Sequence, residues 1–386
     1  MKQERIAIIS THPIQYNAPL FNLLASQPIL DVKVFYTLGT SYADLKDRGF
    51  GKKIEWDVPL LDGYNYKFLK NSSIKPGTAH FNGVINPDII DEIDAFTPTA
   101  ILVYGWSFSS HLKVLRYYKG KVPVFFRGDS TLFKDKTGIR KFFRKLFLTW
   151  VYSFVDKAFY VGTNNKQYYL RYGVKEKELI FAPHAIDNER FSKDILFMSE
   201  SKSIRRNLGI KESDIVFAFI GKFETVKNPL LLLDAFRKLK EDNLCLLFVG
   251  NGPLEEELKS GATGISNIYF LPFQNQKIIP AIYRVADVFV LPSLSETWGL
   301  AVNEAMACGL PVVVSDNVGC AVDLVQEGKN GYIFKSGNVL SLTGKLEKCI
   351  DKPKSELKQM GIVSRSIVNR WTYEKTCNAI LETLVE

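Results

Sequence analysis

The sequence predicts an α/β protein built on two doubly wound parallel sheets, and three observations carry that expectation. Hydrophobic residues fill 46% and charged residues 24% of the 386 positions, the balance of a globular chain with room for two or three domains. Short apolar, β-branched runs alternate with helix-like stretches throughout. Those runs are continuous, as strands buried on both faces of a parallel sheet must be. In the first half they fall near Ile6–Ser10, Val32–Thr37, Tyr64–Leu69, Ile101–Tyr104, Val122–Phe126 and Ala158–Val161. In the second half they fall near Val216–Gly221, Leu244–Val249, Ile268–Leu271, Val288–Leu291, Val312–Ser315 and Tyr332–Phe334. So many strands overfill one open sheet, and two domains follow.

The seam is expected between Asp187 and Asp214, giving domains over 1–190 and 204–370. The stretch 188–203 is charged and lacks sustained periodicity, and Ile204–Leu208 reads as a short helix. A last helix is expected from about Tyr373 to Leu384, after Arg370-Trp371-Thr372.

The net charge of +9 suits an anionic ligand, an anionic membrane surface or nucleic acid, without choosing among them. The five cysteines (Cys245, Cys308, Cys320, Cys349, Cys377) include no Cys-x-x-Cys pair, which favours buried free thiols in a reducing compartment over a zinc site. The N-terminal apolar core, Ile6–Ile9, is too short for a signal peptide, and no run approaches the ~20 apolar residues of a membrane span. A cytoplasmic setting is expected.

The most telling segment is Ser295-Glu296-Thr297-Trp298-Gly299-Leu300-Ala301-Val302-Asn303-Glu304-Ala305-Met306-Ala307-Cys308-Gly309-Leu310-Pro311. A helix is expected to begin between the two glutamates and to stop at Gly309, with Pro311 beyond. Glu296 in the entering loop and Glu304 two turns into the helix stand roughly 12 Å apart along the axis. That span suits a nucleoside diphosphate sugar, with the helix N-terminus facing the phosphates. This Glu-x7-Glu run, from Pro292-Ser293 through Gly309-x-Pro311-Val312-Val313, resembles the donor-site signature of the retaining glycosyltransferases of family 4.

The resemblance is fullest over 214–335 and implies the GT-B architecture, two Rossmann-like domains facing across a cleft. In that arrangement the first domain takes the acceptor, the second takes the donor, and the C-terminal helix, 373–386, crosses back onto the first. It further implies a donor that is a UDP- or GDP-linked sugar, a glycan or lipid-linked acceptor, and bacterial-type surface polysaccharide or glycolipid synthesis. Neither a metal nor a cofactor is implied, and no Asp-x-Asp metal motif occupies a suitable loop.

Further residues sit at expected strand ends, where α/β sheets collect ligands. Gly221, Lys222 and Lys227 follow the first strand of the second domain, and the two lysines reach a diphosphate or stay solvated at the surface. The family commonly carries Arg where Lys222 stands, and a lysine supplies charge without the bidentate fork. Gly250, in Val249-Gly250-Asn251-Gly252-Pro253, reads as a strand-to-helix turn near the nucleoside, because the dinucleotide fingerprint is incomplete. Phe273 borders the nucleobase or belongs to the core. In the first domain His12, Gln15 and Tyr16 contact phosphate or acceptor hydroxyls, or serve local turn chemistry. Trp106 is an acceptor platform or core. Arg127 pairs with the leaving phosphate or with Asp129, and Gly128 stands where relatives often place a sugar-contacting histidine.

In the resulting mechanism Lys222, Lys227 and the backbone N–H groups around Trp298, Gly299 and Leu300 meet the growing diphosphate charge. Glu296 holds the sugar hydroxyls and Glu304 the ribose. Residues 138–150 interleave Arg140, Lys141, Arg144 and Lys145 with Phe142, Phe143, Leu146 and Phe147. This helix lies on an anionic membrane or turns its apolar face inward as an ordinary domain helix. Two alternatives stand beside transfer: an epimerase or phosphorylase on the same frame, or a silent scaffold whose charge holds nucleic acid or membrane. The four residues Lys222, Lys227, Glu296 and Glu304 together favour the enzyme, and no nucleic acid is expected.

Overall fold

The computed structural model describes residues 3–40, 55–133 and 138–385. The first sheet contains β1 (Glu4–Ser10), β2 (Leu30–Tyr36), β3 (Asn65–Phe68), β4 (Ala100–Tyr104), β5 (Val124–Arg127), β6 (Lys157–Tyr160) and β7 (Leu179–Phe181). The second contains β8 (Ile215–Ile220), β9 (Leu244–Val249), β10 (Ile268–Leu271), β11 (Val288–Leu291), β12 (Val312–Ser315) and β13 (Gly331–Phe334). Their orders are β3-β2-β1-β4-β5-β6-β7 and β10-β9-β8-β11-β12-β13, and every pairing is parallel. Both are doubly wound sheets of the GT-B kind, with the winding reversing beside β1 and beside β8.

Alternation along β1 explains why its run is continuous. Ile6 and Ile8 join one core with Val32, Val34, Leu102 and Phe125. Ala7 and Ile9 join the other with Ile101, Val103, Val124 and Phe126. A strand covered on both faces has no polar side to show. β8 and β9 are likewise buried along their whole length.

Two compact units result. The first comprises 3–40, 58–133, 138–184 and 373–385, and the second comprises 55–57 and 185–372. The boundary at His184 and Ala185 precedes the expected seam, because Phe191 is fully buried and Asp194 is held by two arginines of the second unit. The helix Tyr373–Val385 packs Cys377, Ala379 and Ile380 into the core of the first unit. Glu386, the expected end of that helix, lies outside the described residues.

Two expectations need correction. β7 has no counterpart in the sequence reading, since Leu-Ile-Phe is only three residues long. The stretch read as irregular before Ile204 forms helices Asn188–Ser192 and Asp194–Asn207. Asp194 accepts from Arg284 at 2.7 Å and from both terminal nitrogens of Arg365 at 2.9 Å, so tertiary contacts supply what periodicity lacks. All five cysteines are free and buried. No helix among the described residues is long and apolar enough to cross a membrane.

Candidate active site

In the second unit the winding reverses between β8 and β11, and the loops leaving those two strands carry the charged residues singled out above. After β8 the chain runs through Gly221 and half-buried Lys222 to Lys227, then enters a helix at Pro229 behind left-handed Asn228 (φ 53°). After β11 it runs from Pro292 to Gly299. The amide of Leu294 donates to the carbonyl of Val226 at 2.9 Å, tying the two loops together. Across this junction Lys227 Nζ forms an ion pair with Glu296 Oε2, the two side chains being only 25% and 17% exposed. Glu296 is fixed from below as well: its amide donates to Asn317 and its carbonyl accepts from Gly319.

Gly299 starts the helix Leu300–Ala307 at φ 101°. A side chain there is strained by that dihedral, and its Cβ would lie 3.0 Å from Val318 and 3.3 Å from Glu296. Glu304 follows on this helix, 4% exposed, and accepts a 2.7 Å hydrogen bond from the buried phenol of Tyr283. Trp298 is buried at 2% exposure and its indole N–H donates to Asn303 at 2.9 Å, while its backbone lies at the start of the helix.

The neighbouring strand ends close the same edge. Gly250 has φ 143°, and a Cβ there would fall 2.0 Å from the carbonyl oxygen of Gly221, so the turn after β9 lies hard against the loop after β8. Asn251 locks both to the next strand, accepting from the Phe273 amide at 2.8 Å. Half-buried Phe273 meets Trp56 edge-on at 6.1 Å. Trp56 escaped the sequence reading, being some two hundred positions away. The backbone of Glu55 and the carboxylate of Asp57 also bond to Asn275 and Lys277, which seats this short segment on the second unit.

In the first unit the reversal lies between β1 and β4. Half-buried His12, Gln15 and Tyr16 sit on the loop after β1, with His12 Nδ1 2.9 Å from Thr11 Oγ1. Half-buried Trp106 sits on the loop after β4 and packs edge-on against Phe147 at 5.4 Å. Arg127, by contrast, is buried, and its terminal nitrogens donate to the carbonyls of Ala182 and Pro183 at 2.8 and 2.9 Å. Those carbonyls anchor the β7 end to the β5 end. Half-buried Asp129 follows on the β5 loop.

Two histidines were also missed. His111 is fully buried, with Nε2 2.9 Å from Thr37 Oγ1 and Nδ1 2.9 Å from the Gly105 carbonyl. Burial holds its imidazole down at about 4, against the pull of those carbonyls. His184, beside the Arg127 clamp, is pushed to about 3 by dehydration and by the Arg127 charge. Neither belongs to a motif, so sequence spacing offered no signal for them.

This pair of switch-point sheets defines a GT-B protein. Residues 200–364 match the family model for glycosyl transferases group 1. A sulfoquinovosyl transferase of Arabidopsis thaliana is 34% identical over 194 residues, covering 50% of this chain and 35% of that protein. A D-inositol 3-phosphate glycosyltransferase of Geodermatophilus obscurus is 31% identical over 178 residues, covering 42% of this chain and 38% of that one. The UDP-Gal:alpha-D-GlcNAc-diphosphoundecaprenol alpha-1,3-galactosyltransferase of Escherichia coli is 30% identical over 216 residues, 53% of each chain. The chain thus spans from about a third to about half of the length of these relatives. Anabaena HepE, solved in complex with UDP, superposes with a TM-score of 0.76 at 16% identity over 99% of this chain and 100% of that one. Sucrose-phosphate synthase of Thermosynechococcus elongatus gives 0.75 at 16% identity, over 99% and 98%. At such identity the likeness concerns the fold.

Proposed function

We propose that the chain is a retaining glycosyltransferase that moves a sugar from a UDP- or GDP-linked donor to an acceptor hydroxyl. The observation that carries this reading is the Lys227–Glu296 pair at the β8–β11 switch point, followed by Glu304 on the helix that Gly299 opens. A cation and two acids on the segments that follow β8 and β11 match the charge sequence of a nucleotide sugar. Relatives whose names state nucleotide-sugar or glycosyl transfer support it, as does the UDP held by a protein of the same fold.

In the reaction the bond from the anomeric carbon to the phosphate oxygen breaks, and its electron pair leaves with the nucleoside diphosphate. Lys222, Lys227 and the amides at the start of the Leu300–Ala307 helix neutralise that charge; losing one such donor typically costs on the order of 10²–10³ in rate. Glu296 holds the sugar hydroxyls, and Glu304, oriented by Tyr283, accepts from the ribose. The acceptor oxygen bonds to the same face of the anomeric carbon, and its proton passes to the leaving phosphate oxygen. No metal or cofactor enters this scheme. His12, Gln15, Tyr16 and Trp106 receive the acceptor, while Arg127 holds the β7 end in place. The setting we assign is the cytoplasmic side of surface polysaccharide or glycolipid synthesis, with a glycan or lipid-linked acceptor.

A panel of UDP- and GDP-sugars, read first by thermal shift, tests the reading. One nucleotide class is expected to raise the melting temperature, since a ligand that binds only the folded state stabilises it by mass action. The product is expected to keep the anomeric configuration of the donor by NMR. A flat panel, or an inverted product, overturns it.

A further inference from the structure

The helix Ile139–Tyr152 is turned opposite to an ordinary domain helix. Ile139, Phe142, Phe143, Leu146, Phe147 and Trp150 recur at the spacing of one helical stripe. A stripe of that kind normally faces a core. Here it is exposed along its whole length, from 73% at Ile139 and 61% at Phe143 to 42% at Trp150, while Leu148, Val151 and Tyr152 on the far side are buried. The rings pack on one another instead, Phe142 on Phe143 at 5.8 Å and Phe147 on Trp150 at 5.8 Å.

Charge says what covers this face. The helix carries four basic residues and no acid. Arg140 and Lys145 are exposed on the two shoulders of the stripe, and Arg144 reaches Tyr172 Oη at 3.3 Å. Two copies meeting through this face would bring like charges together, which opposes self-association. An aromatic stripe with cations at its edges suits an interfacial helix, its rings at the acyl boundary and its cations among anionic headgroups. Fourteen residues reach only about 21 Å, so the helix lies along the surface and does not span it.

We propose that the exposed face of this helix docks the protein on an anionic phospholipid bilayer. Phe147 packs on Trp106, so docking holds the loop after β4 at headgroup level. Resting on the transferase reading, this narrows the acceptor to a lipid-anchored one whose hydroxyl is presented at the membrane surface.

The test is flotation of the full chain, without nucleotide, on phosphatidylcholine vesicles with and without phosphatidylglycerol. Binding is expected only with the anionic lipid and is expected to weaken with salt. Phe142→Ser with Phe143→Ser should lower the affinity at least tenfold. Arg140→Gln with Lys145→Gln should lower it about 25-fold, each cation near an anionic surface being worth about fivefold. Both pairs are exposed, so circular dichroism should match the parent, and nucleoside diphosphate binding should be unchanged. Equal binding to neutral vesicles, undiminished binding by both variants, or a dimer that the phenylalanine variant dissolves would each overturn the proposal. The donor-site reading stands or falls separately, on the nucleotide panel.

Discussion

Glu296 and Glu304 carry the same charge yet are held in different ways, and that difference predicts different defects. Glu296 is paired with Lys227 across two loops, so on the proposed reading an entering donor exchanges partners with an existing ion pair. Glu304 is buried in a helix and oriented by one phenol. Glu296→Ala is therefore expected to abolish transfer while leaving nucleoside diphosphate affinity nearly intact. Glu304→Ala is expected to weaken nucleotide binding itself, and Tyr283→Phe to lower folding stability in denaturant melts, since a buried carboxylate short of one hydrogen bond costs about 1–3 kcal/mol. Titration calorimetry with the diphosphate, beside a transfer assay, separates these outcomes. Parent-like binding and turnover in both glutamate variants would remove the assignment. The glutamates were legible because their spacing and the glycine between them are local. Tyr283 was not, because only the fold brings it to Glu304. Trp298 was legible for its place in the motif, whereas the indole bond that fixes its ring to Asn303 was not. Nothing in sequence separates a ring that faces a ligand from one that closes a turn.

Elements were most legible where both faces of a strand are covered, and least where tertiary contacts replace periodicity. β7 pairs through only three residues, and its end is pinned by Arg127 from β5, more than fifty positions earlier in the chain. The helix Asp194–Asn207 buries only Ser201 among its side chains, so no apolar stripe announces it. The helix Ser109–Tyr118 carries another such contact, since His111 binds the ends of β2 and β4 together. That contact has a pH signature. The folded imidazole titrates near 4, whereas an unfolded one titrates near 6.5, so the unfolded chain takes up the proton first as pH falls. Its contribution is complete above pH 6.5, is lost between 6.5 and 4, and changes no further below 4. The loss amounts to about 3 kcal/mol. Denaturant melts across this window should show the decline, and His111→Gln should remove about half of it while lowering stability at neutral pH, because His184, pushed to about 3, titrates across the same window. A histidine variant with the parent's pH slope would mean that another group, such as His184, sets it.

The chain enters the second unit at residue 185 and leaves it at 372, so that unit is nearly continuous while the first is not. The first unit needs its last helix: Cys377, Ala379 and Ile380 cover the same core that holds Leu20, Phe21 and Leu24. Fully burying a large apolar side chain contributes ~1.5–3 kcal/mol. Uncovering several at once therefore consumes much of a domain's total stability of about 5–15 kcal/mol. A fragment of residues 1–184 is expected to expose that core and to lose cooperative melting. Linking 373–386 back to it should restore the transition. A fragment of residues 185–372 keeps all six strands of the second sheet, the Lys227–Glu296 pair and the Tyr283–Glu304 contact. Among the described residues of that unit it lacks the short segment at 55–57, whose Trp56 meets Phe273 edge-on. This fragment should melt cooperatively and bind nucleoside diphosphate within about tenfold of the full chain, the deficit reporting on Trp56 (an edge-to-face aromatic pair is worth ~0.5–1.5 kcal/mol). Trp56→Ala in the full chain should reproduce that deficit. A folded 185–372 fragment without nucleotide affinity would place the donor site elsewhere, because every residue assigned to it lies in that stretch.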